Sequence, residues 1–112
     1  MSQKRNHSKN IFCHRLKEAR QRIGLSQWKL GIAAGIDEFV ASTRINRYEQ
    51  GVHEPDFQTA TRLAKALNVP LAYLFAKDDE LAMMILEFSR LTAENRQQIL
   101  KQIGAYSEAM EE

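Results

Sequence analysis

A chain of 112 residues, 44% of them apolar, has room for one compact domain with an appendage and too little for a second core. No run approaches the roughly 18 consecutive apolar residues of a membrane span, and MSQKRNHSKN at the N-terminus lacks the apolar centre of a secretory signal, so a cytoplasmic location without membrane contact is expected. The net charge of +2 conceals an asymmetry: residues up to Phe75 carry 12 Lys/Arg against 6 Asp/Glu, and the remainder carry 4 against 8. A basic head can neutralise phosphates while an acidic tail serves assembly. The single cysteine, Cys13, can form no internal disulfide and is expected to pack. His7, His14 and His53 have no metal-ligand spacing, so neither a metal nor a cofactor is expected.

In chain order, residues 1–10 form a polar, basic segment predicted to be a flexible tail. From Ile11 the pattern is helical, with Phe12, Leu16, Ala19 and Ile23 on one face, and Gly24 stops it. Ser26 is a good N-cap for a second helix, Gln27 to Ala34, with Leu30 and Ala33 or Ala34 inward and Gly35 as its end. A third helix contains Ala41, Ile45 and Tyr48 and stops before Gly51. Asp56 caps a fourth, with Phe57, Ala60, Leu63, Ala64 and Leu67 inward and Asn68 closing it. Val69-Pro70 bends the chain into a short fifth helix, Leu71 to Phe75, whose Leu71, Leu74 and Phe75 complete the core.

Beyond Ala76, the Asp78-Asp79 pair can cap a helix carrying Leu81, Met84, Ile85, Phe88 and Leu91. Thr92 can cap another carrying Ile99, Leu100, Ile103 and Tyr106. These stripes need a partner surface. An antiparallel hairpin laid against its own copy makes residues 76–112 the expected homodimerisation element; the other use is packing back onto the head. The fold class expected is all-α.

Residues 25–51 offer the helix pair that reading of a DNA major groove requires: one helix across the backbone, whose N-terminal amides face a phosphate, and one presenting polar side chains to base edges. Ser42, Thr43, Asn46 and Arg47 lie on the exposed face of the third helix, with Arg44 beside it. Arginine can pair bidentately with guanine and asparagine with adenine. A catalytic role is not expected, since there is no nucleophile with a positioned base, no paired carboxylates, no glycine-rich phosphate loop and no metal cluster.

The stretches RLKEARQRIGLSQWKLGIAAGI, RINRYEQG and PDFQTATRLAKALNVPLAYLF resemble the helix-turn-helix family of phage lambda repressor, 434 repressor and Cro, the XRE family, over about residues 12 to 75. Four motifs occur in order: Arg-x-x-x-Gly-Leu at 20–25, Gly-Leu-Ser-Gln at 24–27, Tyr-Glu-x-Gly at 48–51 and Leu-Ala-x-Ala-Leu-x-Val at 63–69. The resemblance implies a five-helix lambda-repressor-like DNA-binding domain over residues 11–75, here followed by a C-terminal helical hairpin extension. It implies that Gln27 contacts phosphate and braces the reading helix, and that Arg20 and Glu49 form a structural ion pair. By the same resemblance Ser42, Thr43 and Arg47 read bases, with Arg44 nearer the backbone. The expected function is a sequence-specific, double-stranded-DNA-binding transcriptional regulator, a repressor acting as a homodimer on an inverted-repeat operator. The alternative is an antitoxin or other module that binds a protein partner through the same fold.

The chain departs from the family at Asp37-Glu38-Phe39-Val40, where it has about four more residues between Gly35 and Gly51. The expectation is a longer turn in which Phe39 and Val40 pack inward and Ser42 serves as a late N-cap. Base reading would then shift toward Thr43, Arg44 and Arg47.

Overall fold

The computed structural model describes residues 7–111, with side chains from Ile11 onward; the first six residues of the basic tail lie outside the described residues. The elements are α1 His7–Arg22, α2 Gln27–Ala33, α3 Ala41–Gln50, α4 Phe57–Leu67, a 3₁₀ helix Leu71–Phe75, α5 Asp79–Ser89 and α6 Ala93–Glu111. Helix α1 thus starts four residues before the apolar periodicity does. The chain is all-α, and no helix among the described residues is long and apolar enough to cross a membrane.

Local chemistry sets most helix starts. Ser26 Oγ accepts from Lys29 N at 3.0 Å, Asp56 Oδ1 from Thr59 N at 2.8 Å, Asp78 Oδ2 from Leu81 N at 2.8 Å and Thr92 Oγ1 from Asn95 N at 3.1 Å. Each satisfies one of the amides that a helix N-terminus leaves open. Ser42 does not act this way. Helix α3 begins at Ala41 with Val40 as its cap residue and no capping side chain.

The helix ends explain where the apolar expectations fail. At the end of α2, Gly35 N donates to Ile32 O and Ile36 N to Gly31 O, the reversal that drives the residue after the left-handed position into the core. Ile36 is therefore the buried turn residue, while Phe39 is 86% exposed and Val40 is also exposed. The same geometry at the end of α1, where Leu25 N donates to Arg20 O, packs Leu25 against the core and leaves Ile23 exposed. After α4, Val69 N donates to Ala64 O and Val69 is buried. Phe57, expected inward, is 76% exposed at the first turn of α4, and Phe75 is half-exposed, with its ring centroid 5.3 Å from that of Phe12.

The core joins Phe12, Leu16 and Ala19 of α1 to Leu30 of α2, Ile45 and Tyr48 of α3, Leu63 and Leu67 of α4, and Tyr73 and Leu74 of the 3₁₀ helix. Of the two alanines considered for α2, Ala34 is buried and Ala33 is exposed. Gly31 lets α2 approach α3: a methyl group there would lie 2.6 Å from Ala41 Cβ. Only glycine fits this crossing without displacing one helix.

The head does not end at Phe75. Ala76, Ala82 and Leu86 belong to the core, with Ile85 packed against it, so α5 closes the bundle beside the 3₁₀ helix. Buried Arg15 fastens this junction, donating from Nε to Ala76 O at 2.9 Å and from its NH2 nitrogen to Lys77 O at 3.3 Å and Asp79 Oδ1 at 3.0 Å. Leu81, Met83 and Met84 of α5 remain exposed. Helix α6 buries no residue. Its first turn is held by Arg96, which donates to Phe88 O at 3.1 Å and Ser89 O at 2.7 Å. The radius of gyration, 16.7 Å, exceeds the roughly 13 Å of a compact chain of this length.

Candidate nucleic-acid interface

Helix α3 has two faces. Ala41, Ile45 and Tyr48 are buried, whereas Ser42, Thr43, Arg47 and Gln50 are exposed, with Asn46 half-buried among them. Its end is fixed at Gly51, whose φ of 75° continues into the bond from Val52 N to Arg47 O at 3.0 Å. A residue with a Cβ would be strained there.

A polar network sets the angle at which α2 holds α3. Arg20 pairs bidentately with Glu49, Nε to Oε2 at 2.5 Å and NH2 to Oε1 at 3.1 Å, and its NH1 donates to Leu25 O at 2.9 Å. The Glu49 side chain is only 3% exposed and that of Arg20 12%. Gln27 Nε2 donates to Glu49 Oε1 at 3.0 Å and to Asn46 Oδ1 at 3.2 Å. The ends of α1, α2 and α3 thereby meet around one carboxylate. Both Nε2 hydrogens of Gln27 are committed inside the protein, so a phosphate contact from that atom requires giving one up.

The remaining sequence-selected residues differ in what they can offer. Asn46 Oδ1 accepts from Gln27 and, at 3.4 Å, from Gln50 Nε2. Bidentate pairing with adenine needs that same oxygen, so Asn46 must exchange a partner to make it. Arg44 is half-buried, lies 5.8 Å from the Tyr48 ring centroid and donates to Tyr48 Oη at 2.8 Å. It is folded along its own helix and supports Tyr48. Ser42, released from the capping role expected of it, keeps its hydroxyl at the surface beside Thr43. Among the described residues the Arg47 guanidinium has no hydrogen-bond or ion-pair partner, and the residue is exposed, which leaves its five donors available to a ligand.

Two residues of this surface, Gln50 and Trp28, escaped the sequence reading, and a third, Asp37, is placed by it in the inserted turn without its hydrogen bond. Gln50 follows Asn46 by one turn and Ser42 by two, a spacing that would have found it. Trp28, on the first turn of α2, donates from Nε1 to Glu38 O at 3.2 Å. Asp37 Oδ2 accepts from Phe39 N at 3.0 Å, which makes residues 37–40 a tight Asx-type turn. Nothing local in the sequence signals the Trp28 bond, because it joins residues ten apart.

A capped helix packed closely on a second, whose outer face is polar and whose orientation is locked from behind, defines a helix-turn-helix unit. The sequence model of the family described as Helix-turn-helix matches residues 16–74, more than half the chain, and the protein belongs to this XRE helix-turn-helix family of DNA-binding transcriptional regulators, which are not enzymes. Its structure is similar to the crystal structure of transcriptional regulator BswR, with a TM-score of 0.78 and 46% sequence identity, covering 83% of this chain and 92% of that chain. No curated protein is significantly similar to it.

Proposed function

We propose that this protein is a sequence-specific reader of double-stranded DNA that binds an inverted-repeat operator as a homodimer and represses transcription by occupying it. The observation that carries the reading is the outer face of α3. Among the described residues Ser42, Thr43 and Arg47 stand there without internal side-chain partners, on a helix whose orientation is fixed by the Arg20–Glu49–Gln27 network. Arg47 is the guanine reader, and Thr43 and Ser42 make shorter base contacts. Gln27 and Asn46 act as the brace, and Arg44 supports Tyr48 near the DNA backbone.

Homodimerisation is supported by α6, of which no residue is buried. Ile99, Ile103, Tyr106 and Met110 follow one another by four, three and four residues, the seam spacing of two helices packed side by side. A helix about 28 Å long with such a seam, together with exposed Leu81, Met83 and Met84 of α5, has more apolar surface than a monomer ordinarily leaves in water. Two copies joined by a two-fold axis place two α3 helices on half-sites about one helical turn, roughly 34 Å, apart or a multiple of that.

Selection of bound duplexes from a random pool at about 150 mM salt, where nonspecific phosphate attraction is weakened, tests both halves of the proposal. An enriched inverted repeat is expected. Enrichment of a single half-site refutes the dimer on DNA, and no enrichment by a folded protein refutes the sequence reader. Ile103→Glu with Tyr106→Glu should give a monomer of unchanged helicity, because neither side chain is part of the core; a dimer that survives both charges removes α6 from the interface.

A further inference from the structure

The four-residue insertion places an aromatic ring where the reading helix begins. Phe39 is 86% exposed, two positions before the first residue of α3. Three contacts fix the surface it shares. Gln27, at the start of α2, bonds to Asn46 on the outward side of α3; its neighbour Trp28 bonds to the Glu38 carbonyl; and Asp37 holds the Phe39 amide. The turn therefore flanks the face of Ser42, Thr43 and Arg47 at the N-terminal end of α3, the end a helix-turn-helix unit directs at base edges.

Resting on the DNA-reading proposal, we infer that Phe39 is a further specificity residue, whose ring covers the 5-methyl group of a thymine in the major groove. The chemistry selects this occupant. An exposed phenyl ring has no hydrogen bond to offer, and the apolar feature of a base edge in that groove is the thymine methyl. The carboxylates of Asp37 and Glu38, the two residues before it, disfavour seating the turn against a phosphate. The Asp37 and Trp28 bonds hold the turn in place before binding, so little ordering is needed when the ring meets the base. Phe39 also lies three residues before Ser42 in the chain, which distinguishes it from the apolar seam of α6.

Uracil lacks only the 5-methyl group, so replacing thymines by uracil one at a time in the selected operator tests the contact without altering any hydrogen bond. With the full chain, one thymine per half-site should be sensitive, losing about fourfold in affinity, the worth of one buried methyl group. Phe39→Ala should bind the thymine and uracil forms equally at that position and keep the wild-type response to changes under Arg47. Phe39→Leu should restore part of the methyl preference. Since the ring is exposed, the melting temperatures of these variants should match wild type. A methyl-sensitive position that persists in Phe39→Ala overturns the assignment, as does an operator with no such position. A loss of affinity equal on all sequences places Phe39 on the backbone and also overturns it. Failure of the wild-type protein to select any sequence removes the reader itself, and the role of Phe39 with it.

Discussion

Neutralising Glu49 is the sharpest perturbation of the machinery that aims α3. Glu49→Gln keeps the shape of the side chain but takes away the charge that faces Arg20, and sets an amide donor against guanidinium donors. The Glu49 side chain is 3% exposed and that of Arg20 12%, so water can do little to replace the lost partner. Breaking a buried pair from one side costs about 3–5 kcal/mol, a large part of the roughly 5–15 kcal/mol that stabilises a domain. At about 4 °C per kcal/mol for a chain of this size, the melting temperature should fall by roughly 12–20 °C. Thermal unfolding followed by circular dichroism measures this directly. Arg20→Met combined with Glu49→Leu should recover most of the loss, because an apolar pair of similar volume leaves no charge unpaired. A Glu49→Gln variant melting within about 4 °C of wild type, or a double variant no better than the single one, would refute the argument that this pair is a stability-critical brace.

Four further outcomes follow from the same structure. Arg47→Ala should lose about 1–3 kcal/mol of discrimination at one base pair of each half-site with helicity unchanged, read by titrating variant operators; an unaltered preference would show that α3 meets DNA by another face. Gly31→Ala should destabilise by about 1–3 kcal/mol through overpacking against Ala41 and weaken operator binding at temperatures where the protein is folded, checked by urea unfolding beside a binding isotherm. Asp56 is held below its ordinary pKa of 3.8, first by the backbone hydrogen bond from Thr59 and then by the Thr59 side chain; desolvation opposes these, and the charges of Arg62 and Arg44 add weaker support. Its ionised form is favoured in the folded chain, so its stabilisation is complete above the ordinary value and is lost as pH falls from there through the lowered one. Asp56→Asn, which keeps a capping oxygen, should flatten that acid limb in pH-dependent melting. Finally, a chain ending at Arg90 should stay folded and become monomeric, whereas one ending at Phe75 should melt well below it, since the latter strips Ala76, Ala82 and Leu86 from the core; sedimentation and melting distinguish them.

The helices, most of their caps and the family are legible in local sequence pattern alone. Ser26, Asp56, Asp78 and Thr92 act within three residues of themselves, and the apolar spacing of Leu16, Ala19, Ile45, Leu63 and Leu67 is a local pattern that any helical packing must bury. The polar face of α3 was legible for the same reason, as the complement of Ala41, Ile45 and Tyr48. Direction, and contact between distant residues, depend on packing and could not be read from local pattern. Leu25, Ile36 and Val69 take the inward places because the left-handed residue before each reverses the chain, which leaves Ile23, Phe39 and Val40 outside despite their apolarity. Arg15, on α1, becomes a buried clasp only because the carbonyls of Ala76 and Lys77 arrive beside it from more than sixty residues away. Asn46 shares the exposed face of Arg47 in the sequence pattern, with Arg44 beside it; Gln27 from α2 and the Tyr48 hydroxyl occupy the polar groups of Asn46 and Arg44 and set both apart from Arg47. Spacing along the chain reports which side of a helix a residue lies on, but what waits on that side is decided by elements that sequence proximity does not reveal.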